Sequence, residues 1–248
     1  MKASKWSRRA VMGSACRSGD EDLDKQVWEK TKKETKKSWL NGPFTEQELE
    51  DMLGKLFVVS RRFGILQKSG IRVIDDFSES MINACFGASE TVDLGGVDEL
   101  AALARTLLDM VKDNGKVEVK ISTGEKLEGW LHDSITVEEA RSLVGRTLDL
   151  ESAYKQLLVA QGSAWASVIQ VYNTDLKKKE LYLTEVLPFG ASASVFGFNR
   201  FSRALCRIGI RLFGLLWTYF FDDYPHLDLE VLKEDSLKTS EDLLTLLG

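Results

Sequence analysis

The chain has 248 residues, 44% hydrophobic and 29% charged, a balance that excludes both a disordered chain and a fibrous one. At about 100–200 residues per domain, this length makes one large domain or two small ones, with enough chain to bury a sizeable core. Lys and Arg total 33 against 38 Asp and Glu, a net charge of −5, which excludes a uniformly basic nucleic-acid binder but leaves room for a local basic groove.

The basic residues Lys2, Lys5, Arg8, Arg9 and Arg17 fall in residues 1–19, which hold no acid. This stretch reads as a frayed terminus or linker, with a transit peptide as the alternative. Residues 20–40 are charge-dense and predict a solvated helix that ends near Asn41-Gly42-Pro43. Residues 1–43 are therefore set apart as an N-terminal extension and helix, and 44–248 as the main domain. Thr45-Glu46-Gln47-Glu48 forms a capping box, and its helix is expected to bury Leu49, Met52 and Leu53 and to stop near Gly54.

Residues 56–77 predict a hairpin that turns at Gln67-Lys68-Ser69-Gly70 and carries Arg61, Arg62, Lys68 and Arg72. Residues 97–113 predict a helix burying Val97, Leu100, Leu103, Ala104, Leu107 and Val111. Val117, Val119 and Ile121 alternate with Glu118 and Lys120, and Thr123-Gly124 turns the chain into a second hairpin. Thr136 to Glu139 is another capping box, its helix running to Gly145. Strands at 166–172 and 180–187, a long helix from about Ser194, a strand at 215–221 and a helix at 236–247 complete an α+β pattern of antiparallel hairpins with helices on one face.

Cys16, Cys85 and Cys206 are too few and too scattered for a disulfide framework or a zinc site. With only His132 and His226 present, histidine metal centres and Cys/His nucleophiles are not expected. A reducing, intracellular compartment, cytoplasmic or nuclear, fits this cysteine usage. The most apolar stretch, 205–221, is broken by Arg207 and Arg211 and falls short of the ~20 clean residues of a membrane span, so no membrane association is expected.

Two acidic clusters each close an apolar run: Leu148-Asp149-Leu150-Glu151-Ser152-Ala153-Tyr154 and Tyr219-Phe220-Phe221-Asp222-Asp223-Tyr224. Carboxylates in such a place need a neutralising partner, and hard divalent cations take oxygen ligands. The plainer reading of either cluster alone is a strand running into a polar turn. Between them lie Leu187-Pro188-Phe189-Gly190 and small residues that permit close approach to a ligand. Residues 186–221 hold no acid, while Arg200, Arg203, Arg207 and Arg211 fall on one helix face, a pattern suited to phosphates.

Four blocks in this order resemble the fingers and palm of retroelement reverse transcriptases. They are Ile71-Arg72-Val73-Ile74-Asp75-Asp76-Phe77-Ser78 with Asn83 beyond, Asp149 to Tyr154, Leu187 to Gly190, and Phe220-Phe221-Asp222-Asp223. The resemblance covers about residues 55–247, and its Pro-Phe-Gly block is most like plant-virus-like and tyrosine-recombinase retroelements. It implies a right-hand polymerase fold with an antiparallel palm sheet, and RNA-directed DNA synthesis from deoxynucleoside triphosphates on a primed RNA or DNA template. It also implies that Asp149, Asp222 and Asp223 are catalytic, and that they bind Mg²⁺ or Mn²⁺ together with the Leu150 carbonyl.

By the same resemblance, Tyr154 excludes a 2′-hydroxyl, Lys68 and Arg72 hold the triphosphate, and Phe189 and Gly190 lie beside the nascent base pair; the plainer readings are a core aromatic for Tyr154 and an exposed hairpin tip for Lys68 and Arg72. Arg200 and Arg203 are expected to touch nucleic-acid backbone. Phe220 stands where many members have Tyr, and Phe189 where retroviral enzymes have Gln. The chain stops at Gly248, about where the helix after the last block finishes, so by the resemblance the thumb, primer-grip and RNase H segments are missing. Weak primer-template affinity and low processivity or inactivity are expected of this polypeptide alone, and other segments of a retroelement polyprotein are expected partners. Three other readings stay open: a truncated, inactive remnant, another right-hand polymerase (RNA-directed RNA polymerase or group II intron type), and an α+β binding module with structural acids.

Overall fold

A computed structural model describes residues 2–14, 17–68 and 70–246. Cys16, Ser69 and Gly248, each part of an expectation above, lie outside the described residues. In chain order the elements are α1 (Lys2–Gly13), α2 (Glu21–Lys36), β1 (Leu40–Phe44), α3 (Glu46–Leu53), β2 (Val59–Gln67), β3 (Gly70–Asp76), α4 (Ile82–Cys85) and α5 (Val97–Met110). There follow β4 (Lys116–Lys120), β5 (Lys126–Trp130), α6 (Val137–Arg141), β6 (Leu143–Asp149), β7 (Val168–Asn173), β8 (Lys178–Thr184), α7 (Ser192–Phe213), β9 (Asp223–Leu229) and α8 (Lys233–Leu246). Both hairpins and both capping boxes match their sequence signatures. The class is α+β, and the contacts divide the chain into two compact units: Met1–Thr91 with Ser152–Phe198, and Val92–Glu151 with Asn199–Gly248.

The first unit is built on a five-stranded sheet of order β1-β8-β7-β2-β3. It is mixed, because β2 runs parallel to β7, where an antiparallel sheet was expected. Helices also cover both of its faces rather than one. Side chains alternate along a strand, so Val168, Leu181 and Leu183 turn to one face and Ile169, Val171 and Tyr182 to the other. The first set packs with Val11 of α1 and Leu49 of α3. The second packs with Val27 and Trp28 of α2.

The extension set apart as residues 1–43 belongs to this unit. Arg8 is 1% exposed, its guanidinium held by Glu46 at 3.0 Å and Glu50 at 2.6 Å and lying over the Phe57 ring. α2 ends at Lys36, so Asn41-Gly42-Pro43 lies inside β1 and does not terminate a helix. The register of this edge strand shifts between Asn41 and Phe44. Pro is tolerated at such irregular edges. Gly42 sits there at φ +141, where an added Cβ would stand 2.9 Å from the Leu181 carbonyl oxygen. Met52, expected in the core, is 53% exposed.

In the second unit β6 and β9 form an antiparallel ladder, and β4 with β5 a separate hairpin. Residues 215–220 pair with β9 only through the isolated bridges Trp217 to His226 and Phe220 to Asp223, so the expected strand at 215–221 is irregular and the regular strand begins at Asp223. The core gathers Leu205, Trp217, Tyr219, Tyr224 and Leu243. α6 stops at Arg141 instead of reaching Gly145, because Val144, Arg146 and Leu148 alternate inward as a strand. No residue of α5 is fully buried, and Val97 is 84% exposed. Among the described residues no helix is long and apolar enough to cross a membrane.

Candidate active site

The ladder of the second unit brings two distant acids face to face. Asp149, the last residue of β6, stands opposite Asp223, the first of β9. The Leu150 N–H donates to the Asp222 carbonyl oxygen at 3.2 Å. Phe220 and Asp223 exchange backbone hydrogen bonds of 2.8 and 3.1 Å, which leaves Phe221 and Asp222 as the tip of a two-residue turn. Phe221 takes φ +56, a left-handed conformation that costs about 1–3 kcal/mol for a bulky residue. The Ser202 hydroxyl of α7 donates to the Phe221 carbonyl at 2.7 Å and lies 2.8 Å from the Tyr224 hydroxyl. Ser202 and Tyr224 are fully buried, and burial pushes the Tyr224 phenol well above its ordinary range. Ser202 did not stand out in the sequence, and Tyr224 only closed the acidic cluster, because only the pairing of α7 with the turn gives them work.

Asp149 is exposed, and Asp222 and Asp223 are half-buried. Burial, then the neighbouring charges of Asp222 and Asp149, hold the Asp223 carboxyl above the usual range. Among the described residues, no group of three or more His, Cys, Asp or Glu side chains is gathered to hold a metal ion. The expected ligand set Asp149, Leu150, Asp222 and Asp223 is thus brought to one end of the ladder but not converged into a cage. Its chemistry fits a hard divalent cation, since every donor is oxygen and the repulsion felt by Asp223 is what a cation relieves.

The loop and hairpin residues lie in the first unit. Tyr154 is buried in an aromatic stack, its ring centroid 4.5 Å from Phe198 and 4.7 Å from Phe189. Ser152 and Ala153, at φ +59 and +23, form the strained turn that leads into it. Gly190 takes φ +93, and an added Cβ would stand 3.0 Å from the Asp75 carbonyl oxygen. Asn83 holds the same turn, donating from Nδ2 to the Gly190 carbonyl at 2.9 Å and accepting from the Ser192 N–H at 2.8 Å. The segment that resembles a fingers motif is in this way tied to the Pro-Phe-Gly loop.

Lys68 and Arg72 are exposed at the β2–β3 tip, and among the described residues neither bonds to Tyr154, Phe189 or Gly190. The neighbouring cation Arg62 behaves differently from the hairpin reading. It is 2% exposed and grips Asp75 with bonds of 2.7 and 2.9 Å and Glu34 with one of 2.6 Å. Glu34 also pairs with Lys155, next to Tyr154. Burial pulls against the charged forms, yet Asp75 and Glu34 raise the Arg62 pKa, and Arg62 and Lys155 lower that of Glu34. This network joins α2, β2 and β3 to the turn that carries Tyr154.

Arg200, Arg207 and Arg211 are exposed along α7, and Arg203 is half-buried. Among the described residues Arg203, Arg207 and Arg211 make no ion pair. No protein-family model and no curated protein matches the chain.

Proposed function

We propose that the chain is the fingers–palm module of a retroelement reverse transcriptase, an RNA-directed DNA polymerase that extends a primer 3′-hydroxyl. The observation that supports this reading most is the register that opposes Asp149 to Asp223 with Asp222 at the adjoining turn. In this reading Asp149, Asp222, Asp223 and the Leu150 carbonyl hold Mg²⁺ or Mn²⁺, which when bound lowers the barrier to hydroxyl attack and neutralises the leaving pyrophosphate. Lys68 and Arg72 grip the triphosphate. Arg200 and Arg203 fix template or primer backbone without reading sequence. Tyr154, made rigid by Phe189 and Phe198, limits space at the sugar, and the Phe189-Gly190 turn presents backbone to the base pair.

The test is primer extension on an RNA template with deoxynucleotides and Mg²⁺ or Mn²⁺, beside the Asp222→Asn/Asp223→Asn variant. Extension that vanishes in the variant is the expected result. Extension that persists in the variant overturns the site assignment, and none from the wild type overturns activity for this chain. Tyr154→Val should raise ribonucleotide incorporation.

A second reading, an α+β binding module whose acids are structural, is favoured by the carboxylates' not converging among the described residues. It predicts identical Mg²⁺ calorimetric titrations for wild type and Asp222→Asn.

A further inference from the structure

We propose that a cavity lined by α5, α7 and residues 217–219 of the second unit binds a small zwitterion with an apolar or aromatic side group, an amino acid or a close analogue. The cavity holds about 320 Å³, at the small end of the ~300–1,000 Å³ found for ligand sites. Leu103, Ile210 and Trp217 give it an apolar wall, while its charged lining carries both signs: Arg203 and Arg207 on α7 against Glu99 on α5 and Asp93 just before it.

The two arginines are four residues apart, which stacks them on one face with a rise of ~6 Å. Among the described residues neither has an ion-pair or hydrogen-bond partner. Arg8, Arg62 and Arg146, by contrast, each hold a carboxylate. Glu99 is not drawn across to the guanidinia. Its Oε2 accepts from the Thr218 hydroxyl at 3.0 Å, which fixes the carboxylate on the α5 side. Tyr219 donates to the Asp93 carbonyl at 3.0 Å, and Trp217 Nε1 to the Cys206 carbonyl at 2.9 Å, so the walls are braced. Burial raises the Cys206 thiol to about 11, which makes it a neutral wall rather than a nucleophile.

A simple anion drawn to the arginines meets Glu99 and Asp93, and a simple cation drawn to these acids meets the arginines. A ligand with a carboxylate and an ammonium satisfies both, and its side group covers Leu103 and Trp217. A charged partner left unmatched in such a site is costly, which is the basis of the selectivity.

Calorimetry of the full chain with L-phenylalanine, phenylacetate and phenethylamine tests this. L-phenylalanine should bind saturably at one site, and each singly charged analogue about tenfold more weakly, the loss of one charge-assisted hydrogen bond. Arg207→Ala and Glu99→Gln should each weaken L-phenylalanine by a similar factor, and Ile210→Trp, which fills the cavity from a part-exposed position, should abolish binding while the thermal melt stays that of the wild type. No saturable heat from L-phenylalanine overturns the proposal. Phenylacetate binding as well as phenylalanine, with no effect of Glu99→Gln, overturns it too, as does undiminished binding by a folded Ile210→Trp chain.

Discussion

The Asn83 amide holds the turn at Gly190, 107 residues further along the chain, from both sides: its nitrogen donates to the Gly190 carbonyl and its oxygen accepts from the Ser192 N–H. Asn83→Ala removes both bonds together with the exposed 3.2 Å bond from Asn83 Nδ2 to the Ser78 hydroxyl, and at ~0.5–1.5 kcal/mol net for each of the two bonds to the turn it should cost at least about 1–3 kcal/mol. Urea unfolding measures this, and faster exchange of the Ser192 amide locates it. Gly190→Ala should cost a similar amount for a different reason, since a Cβ there is strained by φ +93 and crowds Asp75. An unchanged urea midpoint in both variants contradicts the latch.

Arg62 is the electrostatic centre of the first unit. Arg62→Ala leaves Asp75 and Glu34 without their shared buried partner, a change expected to cost about 3–5 kcal/mol. Arg72→Ala, on the same hairpin but exposed, should stay within about 0.5 kcal/mol. Chemical denaturation of the two variants separates a buried charge from a solvated one.

The same network sets an acid sensitivity. The folded-state pKa of Glu34 lies below its unfolded value because Arg62 and Lys155 outweigh burial. The unfolded chain therefore binds the proton more readily. The stability from this group is complete above the unfolded pKa and is lost as pH falls through the folded one, from about pH 5 downwards. Thermal melts against pH should show a shallower acid limb in Glu34→Gln than in the wild type, from a lower starting stability.

Asp223 shifts the other way, with burial first and then Asp222 and Asp149 raising it. Asp149→Asn or Asp222→Asn should bring the Asp223 carboxyl back toward the ordinary range, and Mg²⁺ should do so in the wild type. Carboxyl carbon chemical shifts titrated with pH read this directly. A titration of Asp223 that neither substitution moves separates the three acids electrostatically and contradicts a shared site.

Features set by neighbours a few residues away are legible in the amino-acid order. The boxes Thr45/Glu48 and Thr136/Glu139 close over three residues, and the β2–β3 and β4–β5 hairpins follow from alternation and turn chemistry. Asp149, Asp222 and Asp223 were visible as acids that close apolar runs. Their pairing was not, because the β6–β9 register joins segments separated by more than seventy residues. β1 was hidden because Gly42-Pro43 signals a helix stop just as well as an irregular edge strand. Arg61 and Arg62 are adjacent cations on one strand, and alternation sends them to opposite faces, one against Glu79 and the other into the Glu34–Asp75 network.

The sequence by itself therefore determined the α+β class, both hairpins, both capped helix starts and the identity of the acidic residues, since these depend on short-range hydrogen bonds and on side-chain periodicity. Only the tertiary structure decided the mixed sheet with helices on both faces, the division at 91, 151 and 198, the burial of Tyr154 and Arg62, and the opposition of Asp149 to Asp223. Each of these depends on which distant segment removes a group from water or supplies its countercharge, and no local pattern encodes that partner.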